Sequence, residues 1–366
     1  MFLKSPVSVL GFFILHSLIP VTMKHLLFPF LVIATLSACE ETPVASNIEN
    51  NQSATIGQAD TMLAFLNDQI IQSPSDPDVF LERGRYHWSK GNDFNALNDL
   101  DAALTVDSTR ADIYLERAEL YYKSKNFEAA LDDYKKCVDL DATNTLGLIR
   151  LATMNIHFRN YEKAIQQLNQ SLQQDDKLSE AYYLKGRIYK EIGDTSLSAS
   201  SYQTAIEVDP NYYESYVEVA LLYAKAKSDL AIEYNTTAIE IRPKSIEARY
   251  NLAIYLQETG FKDYTRYEKA LHQYTKILEI DPNNASASFN TGFVYLEYLQ
   301  DYDAGIKAFT DAISLLPNYT QAYYNRGLCY ESLGNKNEAL MNYNTALTIT
   351  PTFTSAAIAK GRVLSE

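Results

Sequence analysis

Hydrophobic and polar positions in this chain recur with a period of about 34 residues, eight times over, between Pro77 and Phe353. Each period predicts two amphipathic helices joined by a short polar turn. The eighth place of each unit is held by Gly84, Ala118, Ala152, Gly186, Ala220, Ala253, Gly292 and Gly327. The twentieth is held by Ala96, Ala130, Ala164, Ser198, Ala231, Ala270, Gly305 and Ala339. Side chains this small at both places let two helices cross at a distance that a larger residue would forbid. The spacing therefore predicts an all-α chain, an α-solenoid in which each helix pair buries its apolar face against its neighbours.

The units run 77–110, 111–144, 145–178, 179–212, 213–245, 246–284, 285–319 and 320–353. Ahead of them, residues 58–76 predict a capping half-repeat: from Asp60 to Gln72 a lone second helix carries Leu63, Leu66, Ile70 and Ile71 on one face, closed by Pro74. Behind them, residues 354–366 predict a capping first helix with Ala357, Gly361 and Leu364. Unit five reads as one residue short. Unit six carries five extra residues, Phe261-Lys262-Asp263-Tyr264-Thr265, between its helices. An insertion there fits either a tolerated longer turn or an edge loop used for binding.

The spacing resembles the tetratricopeptide repeat (TPR) family over nearly all of 77–353. Unit eight carries the resemblance well, with Tyr323, Gly327, Tyr330, Gly334, Ala339, Tyr343, Ala346 and Pro351 at the family's places. Proline also ends the second helix at Pro210, Pro243, Pro282 and Pro317, lacking an N–H and disfavouring helix before it. Units one to three depart, with Ser108, Ala142 and Asp176 there, which leaves their stacking angle open. The resemblance implies a right-handed superhelix of about eight units, its first helices lining a concave face.

Two apolar stretches precede the repeats. Met23-Lys24-His25, the apolar run Leu26 to Thr35, and Leu36-Ser37-Ala38-Cys39 read together as a secretory leader, residues 1–38. Its apolar core is shorter than the roughly 20 residues that span a bilayer. Leu-Ser-Ala-Cys resembles the lipobox of bacterial lipoproteins, and that resemblance makes Cys39 the lipidated first residue of the mature chain. Residues 1–22 hold a second apolar run between Pro6 and Pro20, so either Met23 is the true start or the upstream segment is retained. Residues 39–57, acidic and rich in Asn and Ser without an apolar period, read as a flexible tether.

The formal charge is −14, and residues 1–38 contain Lys4 and Lys24 but no acids, so the remainder is more acidic still. Nucleic acid is excluded as a natural partner, because phosphate binding needs a basic footprint. Asp78, Asp112, Glu180 and Glu214 take the second place of the early units, where acids stabilise helix N-termini, with Glu82, Glu116, Glu119 and Glu218 nearby. Their summed field would also draw in a basic segment. Arg150 and Arg187 interrupt it.

No catalytic constellation is visible. His87, His157 and His272 lie in different units without metal-ligand spacing, and Cys137 and Cys329 read as buried thiols. No cofactor or metal is expected. In the TPR family, ligands are held largely at the second, fifth, sixth and ninth places of the first helices. Units six to eight place Tyr250-Asn251, Phe289-Asn290 and Tyr324-Asn325 at the fifth and sixth. This resembles the asparagine ladders of some TPR domains, in which amides read a peptide backbone and rings supply contact area. It is also close to the family's average choice there, so both readings stand. The expected function is a membrane-anchored scaffold or adaptor that is not an enzyme. It would bind protein or peptide segments of cell-envelope partners in its groove, with the outer membrane as the expected address. The alternative is a nutrient- or glycan-binding envelope lipoprotein.

Overall fold

The structure is a computed structural model that describes residues 49–365. Contacts divide the chain after Thr61. The first unit contributes the opening of α1 (Glu49–Gln72), and everything else below lies in the second. The first helices of the repeats are α2 (Pro77–Ser89), α4 (Ala111–Lys123), α6 (Thr145–His157), α8 (Ser179–Ile192), α10 (Tyr213–Lys225), α12 (Ile246–Thr259), α14 (Ala285–Val294) and α16 (Thr320–Ser332). Their partners are α3 (Asp93–Val106), α5 (Phe127–Leu140), α7 (Tyr161–Gln174), α9 (Thr195–Val208), α11 (Leu230–Ile241), α13 (Thr265–Ile280), α15 (Tyr302–Leu315) and α17 (Lys336–Ile349), followed by α18 (Thr354–Ser365). No strand occurs among the described residues. The all-α, solenoidal fold class is the one the repeat implied.

The crossings work as the small residues demand. The Ser198 hydroxyl donates to the Gly186 carbonyl at 2.9 Å, joining the twentieth place to the eighth. A Cβ added at Gly186 would lie 2.5 Å from the ring of Tyr202, which is fully buried. The same holds for Gly292 against Phe309 at 2.8 Å and Gly327 against Tyr343 at 2.6 Å. Small on the first helix therefore pairs with a large ring on the second.

A polar device repeats beside this core. Arg117 donates to Asp133 of its own second helix through Nε (2.7 Å) and Nη2 (2.8 Å), and through Nη1 to Asp101 of the preceding one (2.6 Å). Arg83 bridges Asp99 and Asn67, and Arg326 bridges Asn342 and Thr310, in the same register. A seventh-place guanidinium thus ties each of these repeats to the one before, satisfying acceptors that stacking removes from water.

Several expectations are corrected. The helix α1 starts at Glu49, so residues 49–57 of the segment read as tether are helical. No proline interrupts the chain between Pro43 and Pro74, and extending a formed helix adds one hydrogen bond per residue fixed. Leu66 is buried on α1 but Ile71 is exposed, off the packed face. In α18 the buried residues are Ala356, Ala359 and Val363, while Ala357, Gly361 and Leu364 face solvent. Those three occupy the side that a partner second helix covers in a full repeat.

Units one to three do not lack a stop. Asp107, Asp141, Asp175, Asp209 and Asp281 each end a second helix in an extended conformation. Each accepts the backbone N–H two residues on, at 2.9 to 3.1 Å. The aspartate turn halts the helix with or without a following proline. Unit seven, 285–319, holds one residue more than the period, and α14 absorbs it by widening into a π turn, Tyr295–Leu299. A single inserted residue is accommodated this way without displacing the crossing on either side.

Candidate functional site: the face of the first helices

Which residues share a surface is shown by ion pairs that cross repeat boundaries. Arg85 at the ninth place of unit one reaches Glu116 at the sixth of unit two. Arg150 at the sixth of unit three meets Glu119 at the ninth before it (2.9 Å) and Glu180 at the second after it (2.8 Å). Lys190 reaches Glu218 at 2.6 Å. Places two, six and nine of successive first helices therefore form one continuous face.

These pairs also change the electrostatic expectation. Asp78 and Asp112 both meet Arg110, at 2.9 and 2.7 Å, and Glu214 meets Arg242 at 2.7 Å. With Glu116, Glu119, Glu180 and Glu218 likewise engaged, most of the early acids are paired with bases, some from the same repeat and some from an adjacent one. Glu82 alone of that set forms no ion pair among the described residues. The amino-terminal half is therefore a laced ionic surface, in which most of the early acids already hold a base.

The carboxy-terminal half is different. Asn290 and Asn325 are only 4% and 8% exposed, and Phe289 is buried. The Asn290 amide donates to the Tyr250 hydroxyl, whose own ionisation burial pushes well above the usual range. The fifth-place rings pack inward: Tyr250 on Tyr274, Phe289 on Phe309 and Tyr319, Tyr324 on Tyr343 and Phe353. The structure thus brings all six predicted residues to one face but commits most of their surface to the core. Tyr250, Asn251 and Tyr324 stay half-buried. Asn251 Nδ2 is buried without a partner, so of these amides the Asn325 side chain is the one that reaches the face with no hydrogen bond among the described residues.

What the sequence reading missed is the ninth place. In units one to four it reads Arg85, Glu119, Thr153 and Arg187, and in units five to eight Leu221, Ile254, Phe293 and Leu328. The last three are half-buried, leaving an apolar strip on the same face. A column-by-column reading of the repeats would have found it. At its border, Glu297 reaches solvent, yet surrounding protein raises its carboxyl above the ordinary value by desolvation. Cys137 and Cys329 are buried free thiols, pushed by burial up to about 11 and about 12. No group of three or more His, Cys, Asp or Glu side chains suited to a metal occurs among the described residues. Nor is any described helix long and apolar enough to cross a membrane. Cys39, the leader and residues 39–48 of the tether lie outside the described residues.

Comparison with known proteins follows this geometry. Two family profiles, both described as Tetratricopeptide repeat, match residues 320–353 and residues 111–144 and 179–212. Human Protein O-mannosyl-transferase TMTC3 is 24% identical over 201 residues, covering 54% of this chain and 22% of the relative. Human Tetratricopeptide repeat protein 6 is 27% identical over 169 residues, 43% of this chain and 30% of the relative. Anaphase-promoting complex subunit 3 of Schizosaccharomyces pombe is 23% identical over 182 residues, 49% and 26% respectively. The chain therefore spans less than a third of the length of these relatives. Among solved structures, the C-terminal part of a TPR repeat-containing protein from Cytophaga hutchinsonii is 20% identical with a TM-score of 0.50, covering 64% of this chain and 94% of that one. That likeness concerns the fold.

Proposed function

We infer, because the chain belongs to the tetratricopeptide repeat family, that its array is a scaffold mediating protein–protein interaction, and we assign the contact to the carboxy-terminal half of the first-helix face. One observation carries the assignment. On a surface whose amino-terminal half is laced by ion pairs, Ile254, Phe293 and Leu328 form a half-buried apolar strip, and the Asn325 amide on the same face makes no hydrogen bond among the described residues. An extended peptide can lay alternate apolar side chains along the strip while its backbone meets the Asn325 amide. The repeats hold these groups in place beforehand, so the ordering cost falls on the peptide. The finer reading places the scaffold in a bacterial envelope, tethered through Cys39, with envelope proteins as partners and no reaction of its own.

The peptide reading is tested with a peptide array probed by the wild-type chain and by Leu328→Lys. Burying a leucine-sized side chain contributes about 1.5–3 kcal/mol, so the charge should weaken bound apolar peptides by about tenfold or more. Unchanged binding by a folded Leu328→Lys chain removes the strip from the site. The tether is tested by fractionating cells that express Cys39→Ser: release from the membrane pellet supports lipidation, and retention refutes it.

A further inference from the structure

The three repeats that depart from the period are consecutive, and the structure locks them together along the edge where first helix turns into second. Unit five is one residue short, and Asp229 stands at the start of its second helix. There it accepts from Arg266 of unit six through Nη1 (2.9 Å) and Nη2 (2.8 Å), and from the Tyr255 hydroxyl (2.9 Å). Lys262 in the insertion reaches the carbonyl of Lys227 at 3.5 Å. On the other side, Tyr267 stacks on Tyr298 in the π turn of unit seven, ring centres 4.5 Å apart. Tyr264 stands edge-on to Tyr267 at 5.0 Å and donates its hydroxyl to the Tyr298 carbonyl at 3.1 Å. Gly260 leaves the space that the Tyr267 ring fills.

The insertion is therefore fixed from both sides, and yet Phe261 is 73% exposed and Tyr264 65%. Rings held in water by a built framework lose the burial that would ordinarily stabilise them. The charge around them is also unlike the rest of the molecule. Lys225, Lys227 and Lys262 are exposed there, and Lys225 and Lys227 form no ion pair among the described residues. The nearby Asp229 carboxylate is shared by Arg266 at 2.8 Å and Lys262 at 3.8 Å, and the exposed Asp263 of the insertion accepts from Thr265. Lys225 and Lys227 thus leave a small basic cluster of unpaired charge on this edge in a chain of formal charge −14.

We propose that this edge, formed by the turns of units five to seven, is a second docking surface whose partner is a short acidic segment bearing an apolar side chain. Carboxylates of the segment meet Lys225 and Lys227, and the apolar side chain covers Phe261. A peptide fits better than an anionic lipid plane. A plane approaching within the screening length of about 8–10 Å must also face the surrounding acidic surface, whereas a short segment meets only the basic cluster.

The test uses the full chain and fluorescence anisotropy with labelled twelve-residue peptides of three kinds: acidic with one Phe, acidic without it, and basic with one Phe. Vesicles of phosphatidylglycerol and of phosphatidylcholine form a parallel arm. The acidic Phe peptide should bind, and Phe261→Ser and the pair Lys225→Glu with Lys227→Glu should each weaken it by about tenfold or more. Leu328→Lys should leave it unchanged. Circular dichroism confirms that the variants, altered at exposed positions, remain folded. The proposal is overturned if no acidic Phe peptide binds, if the basic peptide binds equally, if the variants bind like wild type, or if only phosphatidylglycerol vesicles are retained.

Discussion

Replacing Arg117 with methionine should destabilise the array by about 3 kcal/mol, because breaking a buried pair leaves one charge uncompensated. Asp133 is 6% exposed and takes two guanidinium bonds of 2.7 and 2.8 Å, so Arg117→Met strands a carboxylate away from water. The third bond, to Asp101, is lost as well, but its acceptor is exposed and adds little. Asp133→Asn is the informative contrast. Unit eight already uses that chemistry, with Arg326 Nε donating to Asn342 Oδ1 at 2.9 Å. The neutral acceptor keeps a bond and removes the charge imbalance, so Asp133→Asn should cost about 1 kcal/mol, near the net value of one hydrogen bond. Urea unfolding followed by helical ellipticity measures both, fitted with nearest-neighbour coupling because repeat arrays need not unfold in one step. If Arg117→Met costs under about 1 kcal/mol, or Asp133→Asn costs as much as Arg117→Met, the clamp does not hold neighbouring repeats together.

Other consequences follow from particular residues. Arg159 adopts a left-handed conformation (φ 60°) where units one, four and eight use Gly91, Gly193 and Gly334. Relief of about 1–2 kcal/mol of strain, less the roughly 0.5–1 kcal/mol that glycine's unfolded-state freedom costs, should make Arg159→Gly slightly stabilising; a lower thermal midpoint would contradict it. In a Cys39→Ser chain, Cys137 and Cys329 should resist a disulfide reagent at pH 8 until urea exposes them, since burial raises both thiols; rapid labelling of the native chain would refute their burial. Hydrogen bonds from Arg266 and then Tyr255 lower the Asp229 carboxyl well below its usual value. Its contribution is therefore complete above about pH 4 and is lost as the pH falls further. Amide exchange around Phe261 should accelerate below that point in wild type and show no such step in Arg266→Gln.

Much of the fold was legible because the eighth and twentieth places are constrained by steric contact, and contact restricts residue size directly. Gly186 against Tyr202 is such a case: the ring fixes the glycine. The clamp was equally readable in hindsight, since Arg83 and Asp99, Arg117 and Asp133, and Arg326 and Asn342 share one separation of 16 residues. The π turn was not, because an added residue inside a helix leaves no signature in residue type. Pairing of the early acids was not legible either. Whether Glu119 meets Arg150 depends on how one repeat is rotated on the next, which no single repeat encodes. The amides were placed on the right face but given too much exposure, because the same stacking that aligns Asn290 with Tyr250 also covers it.

The most direct measurement places a photo-crosslinking residue at Leu328 in the native host, with the similarly half-buried Thr204 of α9 as the comparison site, and maps adducts by mass spectrometry. The account predicts polypeptide adducts at Leu328, confined to short extended segments and absent at Thr204. Equal labelling at the two sites, or adducts at Leu328 that are glycan or lipid rather than polypeptide, would contradict it.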